Sequence, residues 1–128
     1  MPKMEDQPTG LTLDRALNAH QQWKARLKQA VKNQETLDVV TIARDDCCDL
    51  GKWLTTEGRK RYGSRPEFVN LIDTHINFHH TAGVVAELIN DKKLESALSH
   101  LGGGTQFAHA SMDVSLAITR LKAVVGSD

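Results

Sequence analysis

The sequence predicts an all-α fold, a bundle of long helices with an additional short helix that carries a cysteine. Three observations predict it. Phe68, Ile72, His75, His79, Ala82, Ala86 and Ile89 recur at alternating steps of four and three, which places them on one inward stripe of a helix with 3.6 residues per turn. Leu13, Leu17, His20, the aliphatic stem of Lys24, Leu27 and Val31 repeat that spacing, so a second long helix buries a histidine at mid-length. The β-branched run Leu37 to Ala43 finds no partner strand elsewhere, and an unpaired strand is not stable.

Taken in order, residues 1–10 hold two prolines and a glycine and form a flexible lead, and residues 11–125 form the helical domain. Thr12 or Asp14 caps the first helix, and Ala16 and Trp23 widen its stripe. Asn33 to Glu35 interrupt the pattern, and Leu37 to Ala43 is either a short helix or an ordered connection. The run Asp45-Asp46-Cys47-Cys48-Asp49 precedes apolar residues and reads as a helix start, where free N–H groups favour an anion. A thiolate there is stabilised, which lowers a cysteine pKa. Trp53 and Leu54 pack this short helix onto the bundle, and Glu57 to Ser64 is a polar connection. Pro66 suits the first turn of the next helix, with Ser64 as its cap. That helix runs to Asn90 or Asp91, and Asp91 to Lys93 turn into the last one.

Leu94, Leu98, Leu101, Phe107, Val114, Ile118, Leu121 and Val125 hold a helical period on both sides of Gly102-Gly103-Gly104. Three glycines inside a helix cost about 2–3 kcal/mol relative to alanine. Either they end one helix and a second starts at Thr105, or they admit a neighbouring backbone. A phosphate-cradling loop is the alternative for a glycine run, and the context argues against it, because no strand precedes the run and no Gly-Lys-Thr/Ser follows it. Phe107 and Met112 are core by periodicity. His100 and His109, nine positions apart on one face, belong to the surface.

Composition narrows the function. A chain of 128 residues is one domain that buries roughly two-thirds of its unfolded surface. Sixteen Lys plus Arg balance sixteen Asp plus Glu, which argues against a nucleic-acid partner, and Arg59-Lys60-Arg61 reads as a solvated turn. No apolar stretch approaches the roughly eighteen residues of a membrane span and the N-terminus has no hydrophobic signal region, so a cytoplasmic location is expected. In a reducing compartment Cys47 and Cys48 stay thiols.

Chemistry concentrates at the buried histidines. His75 and His79 share one face of their helix, and an imidazole buried without a partner costs roughly 1–3 kcal/mol. Together with His20 and Cys48 they make a tetrahedral shell of three imidazoles and one thiolate for Zn²⁺, with bonds of about 2.0–2.3 Å. Mg²⁺ or Ca²⁺ would want oxygen instead. A closed shell leaves no position for water or substrate, which argues against a hydrolytic zinc enzyme.

His20, then Cys48-Asp-Leu-Gly-Lys-Trp-Leu54, then His75-x3-His79 resembles the chemoreceptor zinc-binding (CZB) domain family, over about Leu11 to Val124. The resemblance implies an antiparallel four-helix bundle, commonly a homodimer. It also implies a zinc ion held by His20, Cys48, His75 and His79, with zinc occupancy or cysteine oxidation as the sensory event. Output would pass to a signalling domain or protein of the chemotaxis-receptor or diguanylate-cyclase type. Cys47 and His80 adjoin the matched residues. Cys48 is preferred because Leu50-Gly51 follow it at the family offset, and His79 because His80 lies about 100° off the stripe. Two alternatives remain: a purely structural zinc site, and a hemerythrin-like iron or oxygen-binding bundle, which needs about five histidines and bridging carboxylates.

Overall fold

The computed structural model describes residues 9–125, with side chains from Leu13 onward. The described chain is all-α: α1 (Thr9–Gln21), α2 (Trp23–Asn33), α3 (Val39–Ala43), α4 (Asp49–Leu54), α5 (Glu57–Tyr62), α6 (Pro66–Asn90), α7 (Leu94–His100) and α8 (Gln106–Val125). Residues 1–8 of the expected lead lie outside this range, and Thr9 and Gly10 already belong to α1.

α6 organises the rest. Its 25 residues pack against α8, α3, α7 and α2, while α1 lies along α8. The expected stripe is the centre of a wider buried face that adds Leu71, Phe78, Gly83 and Val85. Val114, Ile118 and Leu121 of α8, Leu13 of α1 and Leu27 of α2 close the core against it. Phe78 fills the middle, its ring centroid 5.6 Å from Phe107 and 5.3 Å from His20.

Several elements differ from the sequence reading. The first long helix breaks at Gln22, whose N–H reaches back to Ala19 O in a three-residue turn, so His20 stands at the end of α1 rather than at mid-length and Lys24 is exposed. Thr12 and Asp14 lie inside α1 instead of capping it, and Asp14 pairs with Lys122 of α8. Leu37 to Ala43 resolves into the short helix α3, capped by Asp38, whose carboxylate accepts from the Thr41 N–H. Glu57 to Tyr62 is helical because Trp53 gives it something to pack on, its ring 6.2 Å from Tyr62 and 6.1 Å from Phe68. The basic triplet is therefore the exposed end of α5, with the Arg61 guanidinium over the Tyr62 ring. Pro66 opens α6, but Arg65 rather than Ser64 holds the capping position and no side chain caps it.

The glycine run separates two helices. Thr105 starts the second: its hydroxyl accepts from the Ala108 N–H and donates to Gly102 O. This places His100 on α7 and His109 on α8, both exposed and not on one common face. Met112 is 61 % exposed, contrary to the core assignment. It sits two positions from both Ala110 and Val114, about 200° around the helix from each. Leu98 is exposed as well.

Replacing Phe78 by Ala should lower stability by about 3–5 kcal/mol, the range for deleting a fully buried ring. Met112→Ala should stay within about 0.5 kcal/mol. Urea midpoints of the two variants against wild type check both, and equal midpoints would contradict this core.

Candidate metal centre

Each side chain of the predicted quartet is delivered by a different local device. His20 closes the last turn of α1 and is 3 % exposed. His75 and His79 stand one turn apart on the buried face of α6, at 0 % and 2 % exposure. Cys48 is the N-cap of α4, its Sγ 3.4 Å from the Gly51 N–H that it accepts. Gly51 is required here, since a Cβ would stand 1.7 Å from the Asp45 carbonyl oxygen. The loop can fold onto the start of α4 only over a bare Cα.

The four side chains meet. One ligand atom from each of His20, Cys48, His75 and His79 lies within 4.8 Å of all the others. Cys48 Sγ is 3.3 Å from His75 Nε2 and 3.6 Å from His79 Nε2. Around a tetrahedral Zn²⁺ with ordinary bond lengths the sulfur-to-nitrogen edge is about 3.5 Å, so both edges suit a shared ion. Cys47 and His80, the neighbours a one-residue register shift would substitute, fall outside the group. His80 is exposed, and the Cys47 thiol faces Asp46 Oδ1 at 3.7 Å.

Hydrogen bonds decide which nitrogens are free. His20 Nδ1 donates to Ala16 O at 2.7 Å and His79 Nδ1 donates to Ile42 O at 2.9 Å. A carbonyl only accepts, so the proton sits on Nδ1 in both rings and Nε2 keeps its lone pair for a metal. Carbonyl partners of this kind orient metal-binding imidazoles. His20 Nε2 and His75 Nδ1 are buried with no hydrogen-bond partner. An orphaned lone pair at His20 Nε2 is the polar debt that a cation there settles. These carbonyls were invisible in the sequence, because a backbone acceptor has no residue signature.

The electrostatics also favour neutral ligands. Burial, then the neighbouring His79 and His20, lower the His75 pKa from 6.5 to about 3. Burial lowers His20 and His79 too, against the raising effect of their carbonyl partners. The Cys48 thiol departs from the sequence expectation. Burial pushes it above its ordinary 9.0, outweighing the backbone N–H groups of Gly51, Leu50 and Cys48 itself, because desolvation of a thiolate costs more than a few amides return. A cation is what that thiolate needs. An open cavity of about 520 Å³ reaches His20 and Cys48 from solvent past Arg15 and Cys47.

The quartet gathers no carboxylate, and no group of the hemerythrin type, with several histidines and bridging acids, occurs among the described residues. No helix among them is long and apolar enough to cross a membrane. A family model described as the chemoreceptor zinc-binding domain matches residues 20–86, more than half of the 128-residue chain and a span containing all four side chains. No curated protein and no solved structure gives a significant match. Zinc is the cofactor of the matched family, and a group of three histidines and one cysteine is positioned to hold it.

Depressed histidine pKa values make the chelator-treated protein acid-sensitive. The unfolded chain takes up protons below pH 6.5 while folded His75 resists them down to about 3, so stability is full above that window and falls as pH drops through it. His75 alone contributes about 1.4 kcal/mol per pH unit. Urea unfolding with chelator at pH 7 and pH 5 should show the loss, and a pH-independent midpoint would refute the buried, neutral triad.

Proposed function

The chain belongs to the chemoreceptor zinc-binding domain family, and on that premise we propose a zinc-dependent sensory module in which His20, Cys48, His75 and His79 hold one Zn²⁺ and Cys48 is the switch. The convergence of those four donors from three separate segments carries the reading. When bound, zinc supplies the positive charge that keeps the buried Cys48 sulfur a thiolate.

What the chain itself does follows from how each ligand is anchored. The histidines stand on α1 and α6, and two of them are fixed by backbone carbonyls. Cys48 is half-buried on the wall of the open cavity and caps a helix of only six residues. A hydroperoxide-type oxidant entering that cavity meets Cys48 before the buried histidines. The thiolate attacks one peroxide oxygen, the S–O bond forms as the O–O bond breaks, and the departing oxygen leaves as water or an alcohol once protonated. The product is a sulfenic acid, a weaker metal donor. The stretch from Asp45 to Trp53 then loses its tether to α6 while the core persists, and that release is the signal.

The rest of the proposal is the setting: a cytoplasmic module that works as a homodimer and regulates a chemotaxis-receptor or diguanylate-cyclase type of output. The antiparallel four-helix arrangement belongs to the same proposal, supported by the packing of α6 on α8 and of α1 on α8. The two free cysteines fit a reducing compartment.

Metal analysis should find about one Zn²⁺ per chain in wild type and in Cys47→Ala, and strongly reduced zinc in Cys48→Ala and in His79→Ala. Retention of a full equivalent by Cys48→Ala would remove the thiolate from the site. Chelation or stoichiometric peroxide should speed amide exchange from Asp45 to Trp53 and leave the middle of α6 protected, as read by mass spectrometry. Global deprotection on chelation would favour a purely structural zinc instead.

A further inference from the structure

We propose, on the zinc reading above, that Gly83 is a positioning residue for His79, because it lets α3 lie close enough to α6 for the Ile42 carbonyl to take the His79 Nδ1 proton. α3 fully buries none of its five residues, and only Ile42 and, just ahead of the helix, Leu37 rest on the core, as partly buried side chains. Specific contacts with α6 fix its position at both ends. At its entrance the Asn90 side chain accepts from the Leu37 N–H and donates to the Leu37 carbonyl, each at 2.8 Å. At its exit Ala43 lies on Gly83, and Ile42 O receives the His79 ring proton at 2.9 Å.

Gly83 is one turn beyond His79, so the two share a face of α6. A Cβ at position 83 would stand 2.6 Å from Ala43 Cβ and 3.1 Å from Ala43 Cα. Ordinary contact begins at 3.4 Å, so a single methyl lifts α3 away. The lifted residue adjoins Ile42, and a hydrogen bond of 2.9 Å is lost once donor and acceptor part beyond about 3.5 Å. His79 then loses what fixes its tautomer and ring plane. Loss of such an outer partner loosens a metal by about 10- to 100-fold.

The experiment compares wild type, Gly83→Ala, and Gly83→Ala with Ala43→Gly, which removes the methyl that the new one meets. Zinc affinity is read by competition with a chromophoric chelator, and the His79 tautomer by side-chain ¹⁵N NMR on chelated protein. Gly83→Ala should bind zinc about 10- to 100-fold more weakly and lose the slowly exchanging Nδ1–H, and Ala43→Gly should restore most of both. Wild-type affinity and an unchanged Nδ1–H in Gly83→Ala overturn the proposal. If Gly83→Ala does not fold, the double variant decides: near-wild-type affinity supports it, and a folded double variant still weak in zinc overturns it. A wild-type chain that takes no zinc would instead remove the zinc reading, while the NMR comparison still tests whether Gly83 governs His79.

Discussion

Three imidazoles removed from water at one point are the constraint on which the molecule depends. Each needs a partner at two ring nitrogens, and a fully apolar surround offers none. Two of the six nitrogens are satisfied by the carbonyls of Ala16 and Ile42. Cys48 Sγ faces two more, on His75 and His79. The two that remain, His20 Nε2 and His75 Nδ1, are buried and unpartnered. A core of this polarity is unfavourable unless something at its centre collects the lone pairs. A cation does so for His20 Nε2 and for the Nε2 atoms of His75 and His79 that face Cys48, whereas His75 Nδ1 points away from that centre.

The connection between α2 and α6 answers the same need. Its helices are short, and neither α3 nor α5 buries a large side chain. Such a segment does not settle by hydrophobic burial alone. Close contact positions it at two glycines: Gly51 under the Asp45 carbonyl and Gly83 under Ala43. One brings Cys48 to the cluster and the other brings the acceptor for His79. Both work because a missing Cβ leaves room for the facing residue, the Asp45 carbonyl in one case and the Ala43 methyl in the other.

What the sequence made legible follows from this division. The long elements carry periodic burial, so the stripe on α6, the apolar run on α8 and the inward direction of His20, His75 and His79 were readable from spacing. The quartet was readable because each ligand type announces itself as a side chain. The Gln22 break and the α5 helix were not, and Met112 was misread although its phase on α8 was there to count. A break depends on hydrogen bonding in one turn, α5 exists because Trp53 receives it, and Met112 fits the apolar count of α8 but not its phase. The direction of the Cys48 shift was missed for a related reason. Position at a helix start is visible in sequence, whereas the burial that outweighs it belongs to the assembled fold.

On the proposed reading, the asymmetry among the ligands is what would let a binding site act as a sensor. Three nitrogens sit on helices that the core holds independently, since α6 and α8 pack along their length through Phe78, Phe107, Val114 and Ile118. The sulfur alone is carried at the N-cap of a six-residue helix, which the core holds through Leu50 and Leu54. Had a histidine stood at the start of α4 and the cysteine on α6, oxidation would strike a buried residue and disturb the core. With the cysteine at the cavity wall, the chemically reactive donor sits on the shortest of the ligand-bearing helices. Under that proposal a change at sulfur would become a change in backbone position around α4 without unfolding the bundle, which is the coupling a sensory domain needs.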